Sequence, residues 1–394
     1  MRLDYTSEQT ALKQQLRGYF AELMTPELEE EISTLESGGP LARRALARMG
    51  KDGWLGIGWP KEYGGQGRPA IEQFIFFDEV QRAGFPIPLL TLNTVGPTLM
   101  RHGTDRQREL FLPKILRGEL QFSIGYTEPG AGTDLAALQT RAVRDGDHYI
   151  VNGHKTFTSL ADQTDFVWLA VRTDAAARHK GISILIVDTQ TPGITMQPIH
   201  TLGDNRTFAV FYEDVRVPVD MLVGAENSGW KLITTQLNYE RISLFTAGII
   251  ERFLDETLAW AKQTRRHDGA RVIDLPWVQA HLANVRAGTD LLRLFNWRQC
   301  WNVDRGDLPA HEASSVKVFG SEFYVESTRL MMEVFGAASN LQRGSPGAVL
   351  RGRLERYHRS TLVLTFGGGA NEIQRDIIAM AGLGMPRAPR DMRA

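Results

Sequence analysis

Two changes in hydrophobic periodicity divide this chain of 394 residues and limit the folds open to it. Residues 1 to about 120 show the one-face apolar spacing of helices. Short β-type runs then follow one another without helices between them, which favours an antiparallel sheet or barrel. From Glu226 onward long helical patterns return. We therefore predict an N-terminal all-α domain (1–120), a middle antiparallel β domain (121–224) and a C-terminal four-helix bundle (225–394).

Capping signals support the helical parts. Thr6 and Gln9 form a possible capping box at the start of the first helix. Asn227 and Ser228 are predicted to cap a helix that runs to about Lys262. The other predicted helices lie around Ile71–Val80, Leu92–Met100, Gln107–Leu116 (opened by Asp105), Pro276–Asp304 and Pro309–Phe335, with a last one after Asn371.

Turn dipeptides organise the β part. Asp145-Gly146 separates two of its runs, and Asn152-Gly153 follows the next one. Both dipeptides favour tight hairpin turns, so each is predicted to close a strand. The predicted strands are Phe122–Tyr126, Gln139–Arg144, Tyr149–Val151, Phe166–Arg172, Ile182–Val187 and Phe208–Val217, and Pro218 and Gly224 mark the exit from the sheet.

Composition excludes several classes of protein. With 45 basic and 46 acidic residues, we expect no strong attraction to nucleic acid or to an anionic membrane. No apolar run is long enough to span a bilayer, and the first twenty residues lack the apolar core of a signal peptide. The single cysteine, Cys300, fits a reducing compartment, so we expect a cytoplasmic protein. The nine histidines include no H-x-x-x-H pair, and we expect no metal site; His148 and His154 flank a turn and are predicted to be surface residues.

Three segments carry the chemistry. Tyr126–Asp134 reads YTEPGAGTD, in which Gly130 and Gly132 let backbone approach a planar ligand and Pro129 stiffens the turn. Its hydroxyls, on Thr127 and Thr133, can bond a ligand edge or a phosphate.

The second segment, Asn152–Ser159, reads NGHKTFTS. The third, Thr365–Arg375, reads TFGGGANEIQR, and Asn371 is a plausible N-cap there. A helix N-terminus suits a negatively charged phosphate. Taken singly, each segment could also be an ordinary turn or strand.

With the order of domains, these segments resemble the acyl-CoA dehydrogenase family over essentially the whole chain. The resemblance implies an FAD cofactor, an acyl-CoA substrate and an electron-transfer flavoprotein as acceptor. Phe157 stands where most members have Trp, which keeps an aromatic face but loses an N–H. The cofactor contacts that the resemblance implies are Tyr126, Thr127, Gly132, Thr133, Phe157, Thr158, Ser159, Ala370, Asn371 and Glu372.

The resemblance also identifies a catalytic base. Many members carry their catalytic Glu at the position of Gly368, where no carboxylate can act. Relatives of the isovaleryl and long-chain types instead carry it on the first long C-terminal helix, at the position of Glu240. Alone, Glu240 could equally be a solvated helix residue; with Gly368, it is predicted to be the base. The implied substrate contacts are Thr133, Asn238, Arg241 and Gly368.

Two segments bear on the partner. Family homotetramers complete each FAD site across an interface with an R-x-x-F-G segment and a Gln followed by a Gly pair. The matching segments here are Thr264–Gly269 (TRRHDG) and Glu333–Asn340 (EVFGAASN), in which Asp268 and Glu333 are poor neighbours for a pyrophosphate. We therefore predict a homologous second subunit in an α2β2 assembly, similar to the α subunits of actinobacterial dehydrogenases for CoA thioesters of steroid side chains. Drift without a change of role is the alternative.

Two other functions stay open on the same fold. One is an acyl-CoA oxidase or flavin monooxygenase, which differs in its reactivity with oxygen. The other is a non-catalytic subunit that supports an active partner; intact YTEPGAGTD, Phe157, Ser159 and Glu240 argue against it.

Overall fold

The structure, a computed structural model, describes residues 3–34, 38–234, 245–307 and 309–387. The chain forms two compact units, Met1–Ser243 and Leu244–Ala394. Within the described ranges, none of the helices combines the length and apolar character needed to cross a membrane. The predicted domain boundaries at 120 and 224 stay predictions.

The first unit begins with helices, as predicted. They are α1 (Ser7–Leu23), α2 (Pro26–Thr34), α3 (Pro40–Lys51), α4 (Ala70–Ala83), α5 (Gly96–His102) and α6 (Asp105–Leu116). The predicted capping box is present in α1, since the Gln9 N–H donates to the Thr6 hydroxyl at 3.2 Å and the Thr6 N–H to the Gln9 side chain at 3.0 Å. A second capping box, Thr104 with Gln107, opens α6. Helices α2 and α3 were not predicted from the sequence.

An eight-stranded sheet follows in the same unit. Its strands are β1 (Phe122–Gly125), β2 (Arg141–Asp145), β3 (His148–Lys155), β4 (Phe166–Arg172), β5 (Ile182–Asp188), β6 (Ile194–His200), β7 (Arg206–Pro218) and β8 (Leu222–Val223). Their order is β6-β7-β3-β2-β4-β5-β8, and β1 pairs with β4. Most ladders are antiparallel as predicted. The β1–β4 ladder is parallel, as is the contact of β2 with β4, because the long β1–β4 connection contains the β2–β3 hairpin.

The hairpin predicted at Asn152-Gly153 is wrong. Strand β3 continues through this dipeptide to Lys155, with a register shift against β7 between Val151 and Gly153. Asn152 bonds Asp214 on β7, with its side-chain amide and carbonyl both engaged. A Cβ at Gly153 would lie 2.5 Å from the Thr140 hydroxyl oxygen, so glycine here permits close strand contact rather than a turn.

Strand β4 is buried on both faces. Its residues Trp168 and Ala170 belong to a core shared with the N-terminal helices, whereas Val167, Leu169 and Val171 belong to a core within the β part. Successive side chains of a strand point to opposite faces, so one strand serves two cores. Strand β1 pairs with β4. It therefore lies beside a strand that is buried on both faces, and so does the start of the segment that follows it.

The second unit is helical. Its helices are α7 (Gly248–Gln263), α8 (Pro276–Asp304), α9 (Ala310–Phe335), α10 (Arg353–Thr361) and α11 (Asn371–Ile377). Helix α9 packs against each of the other four. The predicted bounds of α8 and α9 agree with the structure, with Pro309 as the N-cap of α9.

The continuous helix predicted from Ser228 to about Lys262 is interrupted. Residues 229–234 are helical, but residues 245–247 are not, and α7 begins at Gly248. Buried side chains take up the backbone there: the Asn296 amide donates to the Phe245 carbonyl at 2.8 Å, and the Tyr324 hydroxyl to the Thr246 carbonyl at 2.5 Å. These bonds satisfy carbonyls that a helix would otherwise use.

Candidate functional site

The segment Tyr126–Asp134, which we call the TEPG loop, follows β1, the strand that pairs with β4. The Tyr126 side chain is buried, and its hydroxyl accepts a hydrogen bond of 3.1 Å from the Trp168 indole. Glu128 and Ala131 exchange two backbone hydrogen bonds of 3.1 and 3.0 Å, which close a tight turn. The loop therefore has a defined shape of its own.

A buried ion pair supports this turn. The Lys155 ammonium, which is fully buried, donates to the Glu128 carboxylate at 2.8 Å and to the Tyr126 carbonyl at 3.1 Å. Glu128 also accepts the backbone N–H groups of Gln139 (2.6 Å) and Thr140 (2.8 Å). Sequence reasoning missed this pair, although both residues lie within its motifs.

Burial and charge shift both members of the pair. Burial lowers the pKa of Lys155 from 10.5 to about 8, although the Glu128 carboxylate opposes this. Burial would raise the pKa of Glu128, but the Lys155 charge and the hydrogen bonds outweigh it and hold that pKa below its usual value.

The end of the second segment lies directly beside the TEPG loop. The Thr156 N–H donates to the Thr127 carbonyl at 2.8 Å. Phe157 follows with φ of 56° and a side chain that is 60% exposed. A bulky residue with positive φ is strained, and an exposed aromatic ring forgoes burial. These two features together indicate a binding role rather than a packing role for the ring.

Two hydroxyl residues complete this segment. The Thr158 N–H donates to the Phe208 carbonyl at 3.0 Å, but the buried Thr158 hydroxyl has no hydrogen-bond partner among the described residues. Ser159 is exposed, and its hydroxyl donates to Thr207 at 3.2 Å. An unpaired buried hydroxyl costs free energy, which a bound acceptor or donor would recover.

Open space surrounds two glycines of the TEPG loop. A Cβ added at Gly130 would meet no atom within 4 Å, and one at Gly132 would only touch Thr127 at 4.0 Å. Neither residue has positive φ. The protein's own packing therefore does not require glycine at either position, so a ligand that needs the room explains them better. Thr133 is exposed beside them.

A groove of about 460 Å³ lies beside the same turn, and Gly130 is part of its lining. Its lining includes Glu128, Thr140 and His154. The predicted contacts at Gly132 and Phe157–Ser159 are not among the residues that line it. His154 is half-buried and stacks on Phe211 with ring centroids 4.2 Å apart, so it is less exposed than predicted.

In the second unit, the residues Phe366–Ala370 form what we call the GGG loop. Gly368 and Gly369 have φ of 69° and 100°, and a Cβ at Gly368 would meet nothing within 4 Å. The Phe366 side chain is 63% exposed. This loop thus has little packing of its own.

The role predicted for the Asn371 side chain as an N-cap is wrong. Ala370 is the N-cap of α11 and Asn371 is its first residue. The buried Asn371 amide instead accepts from the Lys317 ammonium at 2.7 Å and donates to Ser321 and Glu322, both at 3.0 Å. Any contact of Asn371 or Glu372 with an anion must therefore come from their backbone N–H groups, which face no preceding helical turn.

The other predicted site residues divide into two groups. Glu240, Asn238 and Arg241 lie outside the described residues. Asp268 and Glu333 are described, and both are engaged locally. Asp268 accepts the Ala270 N–H at 3.1 Å within a small turn, and Glu333 accepts from His281 at 2.7 Å and from Arg329.

Three family models match the chain in succession. They are the N-terminal, middle and C-terminal domains of acyl-CoA dehydrogenase, at residues 6–119, 123–215 and 227–383. The chain belongs to the acyl-CoA dehydrogenase family. This confirms the family and the helix–sheet–helix fold predicted from the sequence, and it makes the protein an enzyme of this class.

Close relatives of this dehydrogenase come from Mycobacterium tuberculosis. Acyl-CoA dehydrogenase FadE26 is 54% identical, with 99% of this chain and 100% of the relative covered, and FadE29 is 49% identical over the same shares. Among solved structures, the ChsE4–ChsE5 complex from that organism matches with a TM-score of 0.92 and 54% identity, over 98% of this chain and 100% of the other. The Tcur3481–Tcur3483 steroid ACAD matches with a TM-score of 0.92 and 47% identity over the same shares.

Proposed function

We propose that this dehydrogenase uses FAD to convert an acyl-CoA thioester into the trans-2-enoyl-CoA, with Glu240 as the base. The observation that carries the cofactor is the pairing of the TEPG loop with Phe157–Ser159 through the Thr156–Thr127 hydrogen bond. The open glycines, the exposed ring of Phe157 and the unpartnered Thr158 hydroxyl fit a large planar ligand with polar edges.

The residues that would hold FAD fall into two sets. In the first unit, Tyr126, Thr127, Gly132 and Thr133 would border the ring system, with Phe157 against its face and Thr158 and Ser159 at its polar edge. In the second unit, the backbone N–H groups at Ala370–Glu372 are proposed to meet the pyrophosphate of an FAD. When bound, FAD supplies an acceptor for the hydride that leaves the β-carbon.

The chain's own residues handle the proton and the charge. Glu240 removes the α-proton, which is weakly acidic because the thioester carbonyl stabilises the resulting enolate. The Gly368 N–H is the donor for the carbonyl oxygen, on which negative charge develops. Asn238, Arg241 and Thr133 would bind the CoA portion. Glycine at 368 cannot supply a carboxylate, which is why the base must come from elsewhere.

The test of the base is Glu240→Gln in the complete enzyme. We expect flavin content to remain and kcat to fall by at least about 100-fold, because the amide cannot take the proton. Glu109→Gln is a matched control, since it makes the same charge change at an exposed residue of α6. Near-normal turnover in Glu240→Gln would refute the assignment.

We infer that the acyl group is bulky and ring-bearing. Two observations support this: one of the matched structures is a steroid ACAD, and the room around Gly368 suits a wide substrate. A panel of CoA thioesters checks the inference. Steroid side-chain thioesters should give the highest kcat/KM, and a preference for short linear acyl groups would contradict it.

We also infer that a homologous second subunit completes the assembly. The matched ChsE4–ChsE5 structure is a complex of two different chains. Here Asp268 and Glu333, at the positions expected to reach a neighbour's cofactor, keep their carboxylates in local pairs. Full flavin content and activity from the chain expressed alone would overturn the heteromer. Reoxidation by an electron-transfer flavoprotein, faster than by oxygen, would identify the acceptor and exclude an oxidase.

A further inference from the structure

A single buried cation joins the two ends of the GGG loop. Lys317 lies in the middle of α9 and is fully buried. Its ammonium donates to the Thr365 carbonyl at 3.2 Å, immediately before the loop, and to the Asn371 side-chain carbonyl at 2.7 Å, immediately after it. One side chain thus fixes the chain on both sides of five residues.

The loop depends on these end contacts. Gly368 and Gly369 have backbone conformations that most residues avoid, and both are exposed. A Cβ at Gly368 would meet no neighbour, so nothing packs against the loop at that point. The Phe366 and Gly367 N–H groups donate to the Val363 carbonyl at 3.1 and 2.7 Å, so the exposed Gly368 and Gly369 are the part of the loop with the greatest conformational freedom. The position of Gly368 therefore depends on how the chain on either side of it is held.

The anchor extends along α9. Asn371 also donates to the Ser321 hydroxyl and the Glu322 carboxylate, and Arg375 on α11 donates to Glu322 at 2.7 Å. Ser321 and Glu322 lie one turn beyond Lys317 on the same helix. Burying an ammonium is costly unless it is well hydrogen-bonded, and the bonds to Thr365 and Asn371 offset that cost. The buried charge of Lys317 is thus explained by its hydrogen bonds to Thr365 and Asn371.

We propose that Lys317 is a positioning residue for the reaction: it places the Gly368 N–H where the thioester oxygen must be stabilised. This rests on the proposed function, in which Gly368 is that donor. Lys317 itself touches neither substrate nor cofactor. A donor that moves away from the developing charge weakens the transition state more than the bound substrate, so the effect falls on kcat.

The test is Lys317→Met in the complete enzyme, purified with its partner subunit where one is required. We expect flavin content and KM to stay close to wild type, and kcat to fall about 100-fold, the loss typical of a misplaced catalytic group. Hydrogen exchange in the peptide that covers 362–375 should accelerate, while α7 and α8 keep wild-type protection. This second readout does not depend on activity.

Ser327→Ala is the matched control, because Ser327 is fully buried on the same helix and bonds the Tyr324 carbonyl within it. We expect it to behave as wild type. Asn371→Ala serves if Lys317→Met does not fold; it removes one arm of the anchor, and we expect a loss of kcat of about 10-fold, the value of roughly one hydrogen bond.

The outcomes separate this proposal from the proposed function. Wild-type kcat and wild-type exchange at 362–375 in Lys317→Met, or in Asn371→Ala, would overturn the positioning role. Lys317→Met and Asn371→Ala could instead both be largely unfolded and lose flavin and activity to the same extent, while Ser327→Ala stays folded. That result would show that Lys317 is purely structural and would also overturn the positioning role. A wild-type enzyme that does not oxidise acyl-CoA thioesters would instead refute the proposed function.

Discussion

The TEPG loop of the first unit is closed by backbone hydrogen bonds across its middle, whereas in the GGG loop of the second unit the bonds among described residues hold the two ends, together with Phe366 and Gly367, but not Gly368 or Gly369. In the TEPG loop, backbone hydrogen bonds between Glu128 and Ala131 close the turn, and the Lys155–Glu128 ion pair lies beneath it. In the GGG loop, Lys317 reaches Thr365 and Asn371 on either side, and Gly368 and Gly369 between them are exposed. Each loop uses a buried lysine, but for a different purpose.

The acceptors described above for the two lysines also differ: one is a carboxylate, and the others are neutral carbonyl oxygens. Lys155 faces a carboxylate, so each member of the pair is needed to neutralise the other. Lys317 bonds two neutral oxygens in the contacts named above. The TEPG loop is therefore restrained near its centre, whereas Gly368 and Gly369 of the GGG loop have more conformational freedom. Such a division suits one loop against an invariant cofactor and another against a variable acyl group.

The comparison predicts the largest effect for Lys155→Met. This variant leaves the Glu128 carboxylate buried without its cation, which typically costs about 3–5 kcal/mol of the free energy of unfolding. Lys317→Met, which removes the hydrogen bonds to the neutral oxygens of Thr365 and Asn371, should cost about 1–3 kcal/mol. Urea denaturation of the flavin-free proteins measures both. The double variant Lys155→Met/Glu128→Gln should recover most of the first loss; equal losses in the two single variants would remove the distinction between the loops.

The second prediction concerns pH. The folded-state pKa of Lys155, about 8, lies below the usual lysine value of 10.5. Between these values the unfolded chain holds the proton and the folded chain has released it, so the free energy of unfolding rises with pH. The slope from this group is at most about 1.4 kcal/mol per pH unit. The slope is measured as the difference in the free energy of unfolding between wild type and Lys155→Met/Glu128→Gln, from pH 8 to 9.5. A difference that does not change with pH would contradict the lowered pKa.

The third prediction tests whether the open glycines serve a ligand. Gly130→Ala should leave the melting temperature of the flavin-free enzyme unchanged, because the added methyl meets no protein atom. It should weaken FAD binding about 10-fold, since a methyl group forced against a bound ligand costs roughly 1–3 kcal/mol. Gly153→Ala is the contrast: its Cβ would clash with Thr140, so stability should fall. Unchanged FAD affinity in Gly130→Ala would place the cofactor elsewhere.

Much of the fold could be predicted because its signals are local. The capping box at Thr6 and the ends of α8 follow from neighbouring residues alone. The hairpin predicted at Asn152-Gly153 was wrong because the turn preference of a dipeptide carries no information on contacts with residues distant in sequence. In the structure the dipeptide lies inside a strand, where Asn152 bonds Asp214 and Gly153 lies close to Thr140.

The site was predictable only in part, for a related reason. The glycines and hydroxyls of the TEPG loop form a contiguous pattern. The two lysines that hold the loops do not, since a lone lysine in a sequence is usually solvated. Asn371 likewise looked like a cap, but its amide is used by Lys317, which lies 54 residues away. Supporting residues of this kind depend on tertiary contacts that local patterns do not contain.

The smallest predicted effect belongs to Thr158→Val, which separates a ligand contact from an internal defect. The Thr158 hydroxyl is buried and has no partner among the residues that the structure describes. Replacing it with a methyl group of similar size should therefore leave the flavin-free enzyme as stable as wild type or slightly more so. If bound FAD completes the hydroxyl's hydrogen bonding, the variant should bind FAD about 5- to 10-fold more weakly, as expected for one hydrogen bond of roughly 1 kcal/mol. Fluorescence titration of both proteins with FAD measures this, with Ser327→Ala as a buried hydroxyl far from the TEPG loop in sequence. Lower stability of the flavin-free variant with unchanged FAD affinity would show that the hydroxyl stabilises the fold. The hydroxyl would then no longer support a flavin edge at this position.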